Sequence, residues 1–319
     1  MTYPAADASV VICAYTETRW NELNRAIASI QQQTAAPCEL IIVIDHNPRL
    51  YERVCEQLGY WNVPEIQRSS VIAIQNNQAQ GLSGARNSGV AQARGAWIAF
   101  LDEDAVAAPN WLARLGAGYN APNVLGVGGS IQPSWKRERP AWFPEEFDWV
   151  VGCTYRGMPH EPQPVRNLIG CNMSFRREVF DAVGGFQNGI GRIGALPMGC
   201  EETEFCIRLR QRWREGVLLY EPQAKVYHTV PSTRSNWKYF SSRCYAEGVS
   251  KAQVANLVGA NDALASEKSY VTRTLPSGVM RNVSSALKNA DPRGLARAGA
   301  ILLGLLLTTA GYVKGTCIS

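Results

Sequence analysis

Residues 96–104 read AWIAFLDED: a short apolar and aromatic run enters directly on Asp102, Glu103 and Asp104. An apolar stretch of this length bounded by polar residues fits a buried strand, with its carboxylates just past the carboxyl end. Working backwards, residues 84–93 carry a helical pattern, 70–74 a strand, 51–59 a helix, 39–45 (ELIIVID) a strand ending on Asp45, 20–33 a helix and 9–14 (SVVICA) a strand. Alternating strands and helices of these lengths predict an α/β fold with a mostly parallel sheet covered by helices on both faces. Beyond Pro109 the pattern becomes irregular, with Pro- and Trp-rich sequence over 132–164, a strand-like 167–175, a helix at 177–183 and another at 201–214. No linker separates the two halves, which read as one fused domain.

Open α/β sheets bind ligands outside the carboxyl ends of their strands. Thr16 and Glu17, Asp45, and the Asp102–Asp104 triplet all fall just past β-runs, so a site is expected there. A dinucleotide-binding Rossmann site is disfavoured, because Tyr15-Thr16-Glu17-Thr18 stands where a G-x-G-x-x-G would follow the first strand.

Composition narrows the classes further. The chain has 319 residues, 46% hydrophobic and 18% charged, with formal net charge +5. From residue 268 onward there are seven basic residues and one acid, Asp291, a net +6, which leaves about −1 for the rest. The main domain is therefore not expected to bind nucleic acid. Nine cysteines, never spaced C-x-x-C, disfavour a zinc site or a disulfide framework. The first residues have neither a basic nor an apolar leader pattern, so a cytoplasmic catalytic domain is expected.

Three segments can carry chemistry. Asp102-x-Asp104 at a strand end can hold a divalent cation whose other positions go to water and phosphate oxygens; by itself such a triplet is also an ordinary solvated turn. In residues 80–91 (QGLSGARNSGVA) glycines precede a helix with Arg86 on its first turn, which suits a diphosphate or is simply a helix start. In residues 199–209 (GCEETEFCIRL) Glu201, Glu202 and Glu204 open a helix, where the macrodipole stabilises acids and where a carboxylate could equally take a proton from a hydroxyl. Arg243, Glu247 and Lys251 fit either a flap over a diphosphate or an amphipathic helix; the helix is favoured for Glu247.

In this order the segments resemble the family 2 glycosyltransferases of the GT-A fold, over residues 9 to about 250. The resemblance implies an inverting enzyme that moves one sugar from a nucleotide diphosphate sugar, a UDP-sugar by preference, to an acceptor hydroxyl in cell-surface polysaccharide or glycolipid synthesis. It implies donor contacts at Ala14, Tyr15, Glu17, Asp45, Gly84, Arg86, Asp102 and Glu103, with Asp45 against the base. Mn²⁺ or Mg²⁺ is implied at Asp104, Asp102 and His228. Acceptor contacts are implied at Asn172, Met173 and Glu201, and Glu202 is the implied general base, a Glu where the family more often has Asp. On this reading residues 1–130 bind the nucleotide sugar, 131–255 bind the acceptor and catalyse, and 256–319 form a basic linker and an apolar membrane-associating segment. A non-catalytic nucleotide-sugar-binding or scaffold protein of the same fold is the alternative, and the presence of Asp104 and Glu202 speaks against it. A processive synthase would carry several spans and a Q-x-x-R-W segment, and neither is found.

Residues 298–313 (AGAILLGLLLTTAGYV) are uncharged and would make a helix of about 24 Å, short of a hydrocarbon core of about 30 Å. The basic residues before them favour the cytoplasmic face of a membrane, with a lipid-linked or saccharide acceptor delivered there. A buried terminal helix, or self-association into an oligomer through this segment, are the other options.

Overall fold

The computed structural model describes residues 4–61, 70–191, 198–264, 267–288 and 290–318. The first half alternates as expected: β1 (Ala8–Ala14), α1 (Trp20–Gln31), β2 (Glu39–Ile44), α2 (Pro48–Trp61), β3 (Ser70–Gln75), α3 (Leu82–Gln92) and β4 (Trp97–Asp102). β1, β2 and β4 are buried along almost their whole length, as strands covered on both faces must be. The strand order is β3-β2-β1-β4-β8-β6-β9-β5, where β5 is Ala105–Ala107, β6 Val124–Trp135, β8 Asn172–Arg176 and β9 Val217–Val230. Its first four members pair in parallel.

From β4 onward the recorded pairings are antiparallel, so the sheet is mixed. The segment after Pro109 is more regular than its sequence suggests. It follows β5 (Ala105–Ala107) and contains α4 (Trp111–Gly118), the long β6 (Val124–Trp135), β7 (Gln163–Val165), β8 (Asn172–Arg176), α5 (Arg177–Val183), α6 (Glu201–Arg212) and the long β9 (Val217–Val230). β6 escapes a periodicity reading because glycines interrupt it, and those glycines are required by close approach: a Cβ on Gly129 would lie 1.8 Å from the Ala224 carbonyl oxygen.

Register decides where the site lies. Cys13 is opposite Asp102 and Ala14 opposite Ile44, so the carboxyl ends of β1, β2 and β4 finish at one edge. Glu103 and Asp104 form the turn into β5, and Ala105 pairs with His228 of β9. Beneath this edge Val11, Ile41, Val43, Phe100, Met173 and Phe175 belong to one buried core, with Phe205 of α6 stacked on Phe180 at 5.0 Å.

Two compact units divide the chain. The first comprises Met1–Ile131, Pro159–Leu196 and Glu201–His228, and the second Gln132–Met158, Pro197–Cys200 and Thr229–Ser319. The second unit contains α7 (Trp237–Val258), two short helices α8 (Ala260–Ala263) and α9 (Glu267–Ser269), a π-helical turn, α10 (Leu275–Lys288) and α11 (Arg293–Ile318). Phe143, Phe147 and Phe240 form its aromatic core.

Candidate active site

All features of the site belong to the first unit. A recess of about 440 Å³ is lined by Tyr15, Asp45, His46, Asn47, Pro48, Arg49 and Gln80. A tighter cleft shares Tyr15 and Asp45 with it and continues past Cys13, Ala14 and Arg19 to Asp102, Glu103, Asp104 and His228. Sequence reasoning thus located Ala14, Tyr15, Asp45, Asp102, Glu103, Asp104 and His228 on one continuous cleft. Glu17 lies in a short 3₁₀ turn after β1 and does not line either space.

Asp45 is a fixed element of the wall. Its Oδ1 accepts from Asn76 Nδ2 at 2.7 Å and lies 2.9 Å from His46 Nδ1, and its Oδ2 accepts from the Gly81 amide at 3.0 Å. Gly81, at φ +120°, can make that turn because it has no side chain.

At the acidic turn His228 Nε2 lies 3.2 Å from Asp104 Oδ1, while Arg19 Nη1 lies 3.2 Å from Asp104 Oδ2 and donates to Glu103 Oε1 at 2.9 Å. Burial pushes the Glu103 carboxyl up to about 8, even though Arg19 pulls the other way. Its Oε2 is buried with no hydrogen-bond partner. Among the described residues, no three His, Cys, Asp or Glu groups converge as a closed metal site. Arg19 was not anticipated, since a single Arg in ETR has no pattern to mark it.

Several residues expected to contact ligands are enclosed by the protein's own side chains and backbone. Arg86 is 2% exposed. Its Nη1 donates to Glu201 Oε1 at 2.8 Å and its Nη2 to Asp102 Oδ1 at 3.3 Å and to the Gly170 carbonyl at 3.1 Å. The guanidinium is an internal strut between β4 and α6. Glu201, expected at the acceptor, is buried on that strut. Asn172 is also enclosed, because its amide donates to the Ser130 and Ala224 carbonyls and accepts from Trp111 Nε1 at 2.8 Å. Met173 is a fully buried core residue. Gly84 is a packing residue, since a Cβ there would meet the Ala79 carbonyl oxygen at 1.9 Å. Glu202, by contrast, stays half-buried at the start of α6. Consecutive helical residues diverge by about 100°, so with Glu201 turned inward Glu202 points elsewhere.

A mixed α/β sheet with a nucleotide-sized recess and an acidic turn at its strand ends is the arrangement of GT-A glycosyltransferases. The same fold is seen in the mannosyltransferase PcManGT from Pyrobaculum calidifontis in complex with GDP-Man and Mn²⁺ (TM-score 0.60, 14% identity, 98% of this chain and 87% of that one). It is seen again in GalNAc-T7 with UDP, GalNAc and Mn²⁺ (TM-score 0.53, 22% identity, 78% of this chain), of which this chain spans about half, 48%. Residues 9–184 match the family model described as Glycosyl transferase family 2, and the chain belongs to that family. A glucosyl-dolichyl phosphate glucuronosyltransferase from Haloferax volcanii is 36% identical over 244 residues, 76% of this chain and 75% of the relative. The succinoglycan biosynthesis protein ExoM of Rhizobium meliloti is 26% identical over 235 residues, 70% and 71% of the two chains.

Proposed function

We propose that this glycosyltransferase moves one sugar from a nucleotide diphosphate sugar, a UDP-sugar by preference, to an acceptor hydroxyl with inversion at the anomeric carbon. One observation carries the reading: Asp104 and His228 stand 3.2 Å apart in a cleft that shares Tyr15 and Asp45 with the larger recess. The recess suits the nucleoside and the cleft its diphosphate. Asp104 and His228, with Asp102 lining the same cleft, would hold Mn²⁺ or Mg²⁺. When bound, the ion would supply positive charge against the leaving diphosphate.

The chain's own residues do the rest. Asp45 and the 76–81 loop keep the wall of the recess rigid. Arg19 balances the paired acids of the turn. Glu202 removes the acceptor proton on the face opposite the diphosphate, as a single displacement requires. Arg86 holds Glu201, and so the first turn of α6, against β4.

The Haloferax relative supports a lipid-phosphate-linked acceptor, and a membrane location follows from that chemistry and from the basic, apolar C-terminal helices. The test is a screen of nucleotide sugars for hydrolysis without acceptor. Hydrolysis should require Mn²⁺ or Mg²⁺, and Asp104→Ala should weaken metal-dependent donor binding at least ~10-fold. Near-normal donor affinity in Asp104→Ala would remove the cation from this site.

A further inference from the structure

α11 is long and apolar enough to cross a membrane, yet one of its faces is already committed inside the second unit. A Cβ on Gly311 would lie 2.0 Å from the Tyr245 carbonyl oxygen, one on Gly248 of α7 would lie 2.0 Å from the Thr308 carbonyl oxygen, and one on Gly315 would lie 2.6 Å from Ala252 Cβ. α7 and α11 therefore pack backbone against backbone through glycines. Along the same stretch α7 carries Arg243 paired with Glu247 at 2.7 Å, and Lys251 paired with Glu247 at 3.4 Å. A bilayer span by α11 would either strip the glycine contact or carry these charges into hydrocarbon.

The other face of α11 is open and apolar. Leu295, Leu302, Leu306 and Val313 are 57%, 57%, 66% and 56% exposed, and at 100° per residue they lie within an arc of about 40°. Met280 and Leu287, seven residues apart on α10, are 65% and 78% exposed and form a second stripe. The exposed cations Lys288 and Lys314 flank these stripes, at roughly 80–100° from them. The one acid after residue 268, Asp291, is tied to Arg297 at 2.6 Å.

We infer that α10 and α11 together form an in-plane docking surface for an anionic lipid bilayer. The apolar stripes enter the boundary between headgroups and acyl chains, and the cations meet anionic headgroups. This deepens the membrane reading above and rests on it, while being independent of the transfer chemistry. Charge selects the occupant: a second copy would bring the same net positive helices face to face, whereas an anionic surface is complementary.

Flotation of the full chain with phosphatidylcholine vesicles, with and without phosphatidylglycerol, tests the inference. The chain should float with the anionic vesicles only, and should be released by alkaline carbonate. Lys288→Ala with Lys314→Ala should weaken binding about 25-fold, about 5-fold for each charge. Leu302→Asp with Leu306→Asp should weaken it at least ~10-fold. Retention through carbonate and through both variants would mean a true span and would overturn the inference. So would absence from vesicles together with a soluble dimer that Leu302→Asp with Leu306→Asp dissociates. Metal-dependent donor hydrolysis, measured on the same preparations, should be equal in wild type and both variants. If wild type floats but hydrolyses no donor, the transferase reading fails and the docking surface stands.

Discussion

Arg86 shows how one buried side chain can link two elements of a site. It is enclosed between Asp102, at the end of β4, and Glu201, on the first turn of α6. Burial works against its charge, and the two carboxylates more than compensate, Glu201 foremost, so its ionised state is reinforced. Replacing Arg86 by Met should cost about 3–5 kcal/mol in urea unfolding, because the buried Glu201 then loses its countercharge; a loss below about 1 kcal/mol would show that the strut contributes little. At Glu202 the expectation is kinetic. Glu202→Gln keeps size and hydrogen bonding but cannot take a proton, so transfer should fall about 10² to 10⁴-fold with donor affinity retained. Normal turnover of Glu202→Gln at saturating acceptor would exclude it as the base. The sequence motifs brought Arg86, Asn172, Met173 and Glu201 to the neighbourhood of the site but could not give the direction of each side chain. Direction is set by partners distant in sequence, such as Trp111 and Ala224 around Asn172. Arg19 was invisible for the same reason, since its partners lie 84 and 85 residues away.

Among the elements, the parallel strands were legible because each is a short, wholly apolar run, and α5 matched its reading from Arg177 to Val183. α4, β6 and β9 were not, because Gly, Pro and charged residues interrupt them where backbones approach closely or one face is exposed. The apolar C-terminal run reads as 16 residues, yet α11 continues at both ends through Arg293 and Lys314 to 26 residues. α7 is the helix favoured for Glu247, and its charges form an internal ladder. Burial would raise the Glu247 carboxyl, but Arg243 and Lys251 outweigh it and hold it at about 2, below an ordinary value of 4.5. A depressed folded-state value stabilises above the unfolded value and is lost as pH falls through the folded one. Stability should therefore decline between about pH 4.5 and 2 by up to about 3 kcal/mol from this group. Glu247→Gln should be less stable at neutral pH, with a shallower decline over that window. An identical acid profile in the variant would show that Glu247 is not the group responsible.

For the whole molecule, the proposed single-displacement transfer draws on the recess beside Asp45, the acidic turn with His228 beside it, and the half-buried Glu202 of α6. Family membership supports glycosyl transfer, while inversion rests on Glu202 acting as a base and not as a nucleophile. A base on the face opposite the leaving diphosphate permits only one displacement, so stereochemistry reports the mechanism without reference to any one substitution. The most direct measurement is the anomeric configuration of the transferred sugar by proton NMR, using the donor found by the hydrolysis screen. Inversion relative to that donor is predicted; retention would contradict the assignment of Glu202 and the single-step chemistry with it.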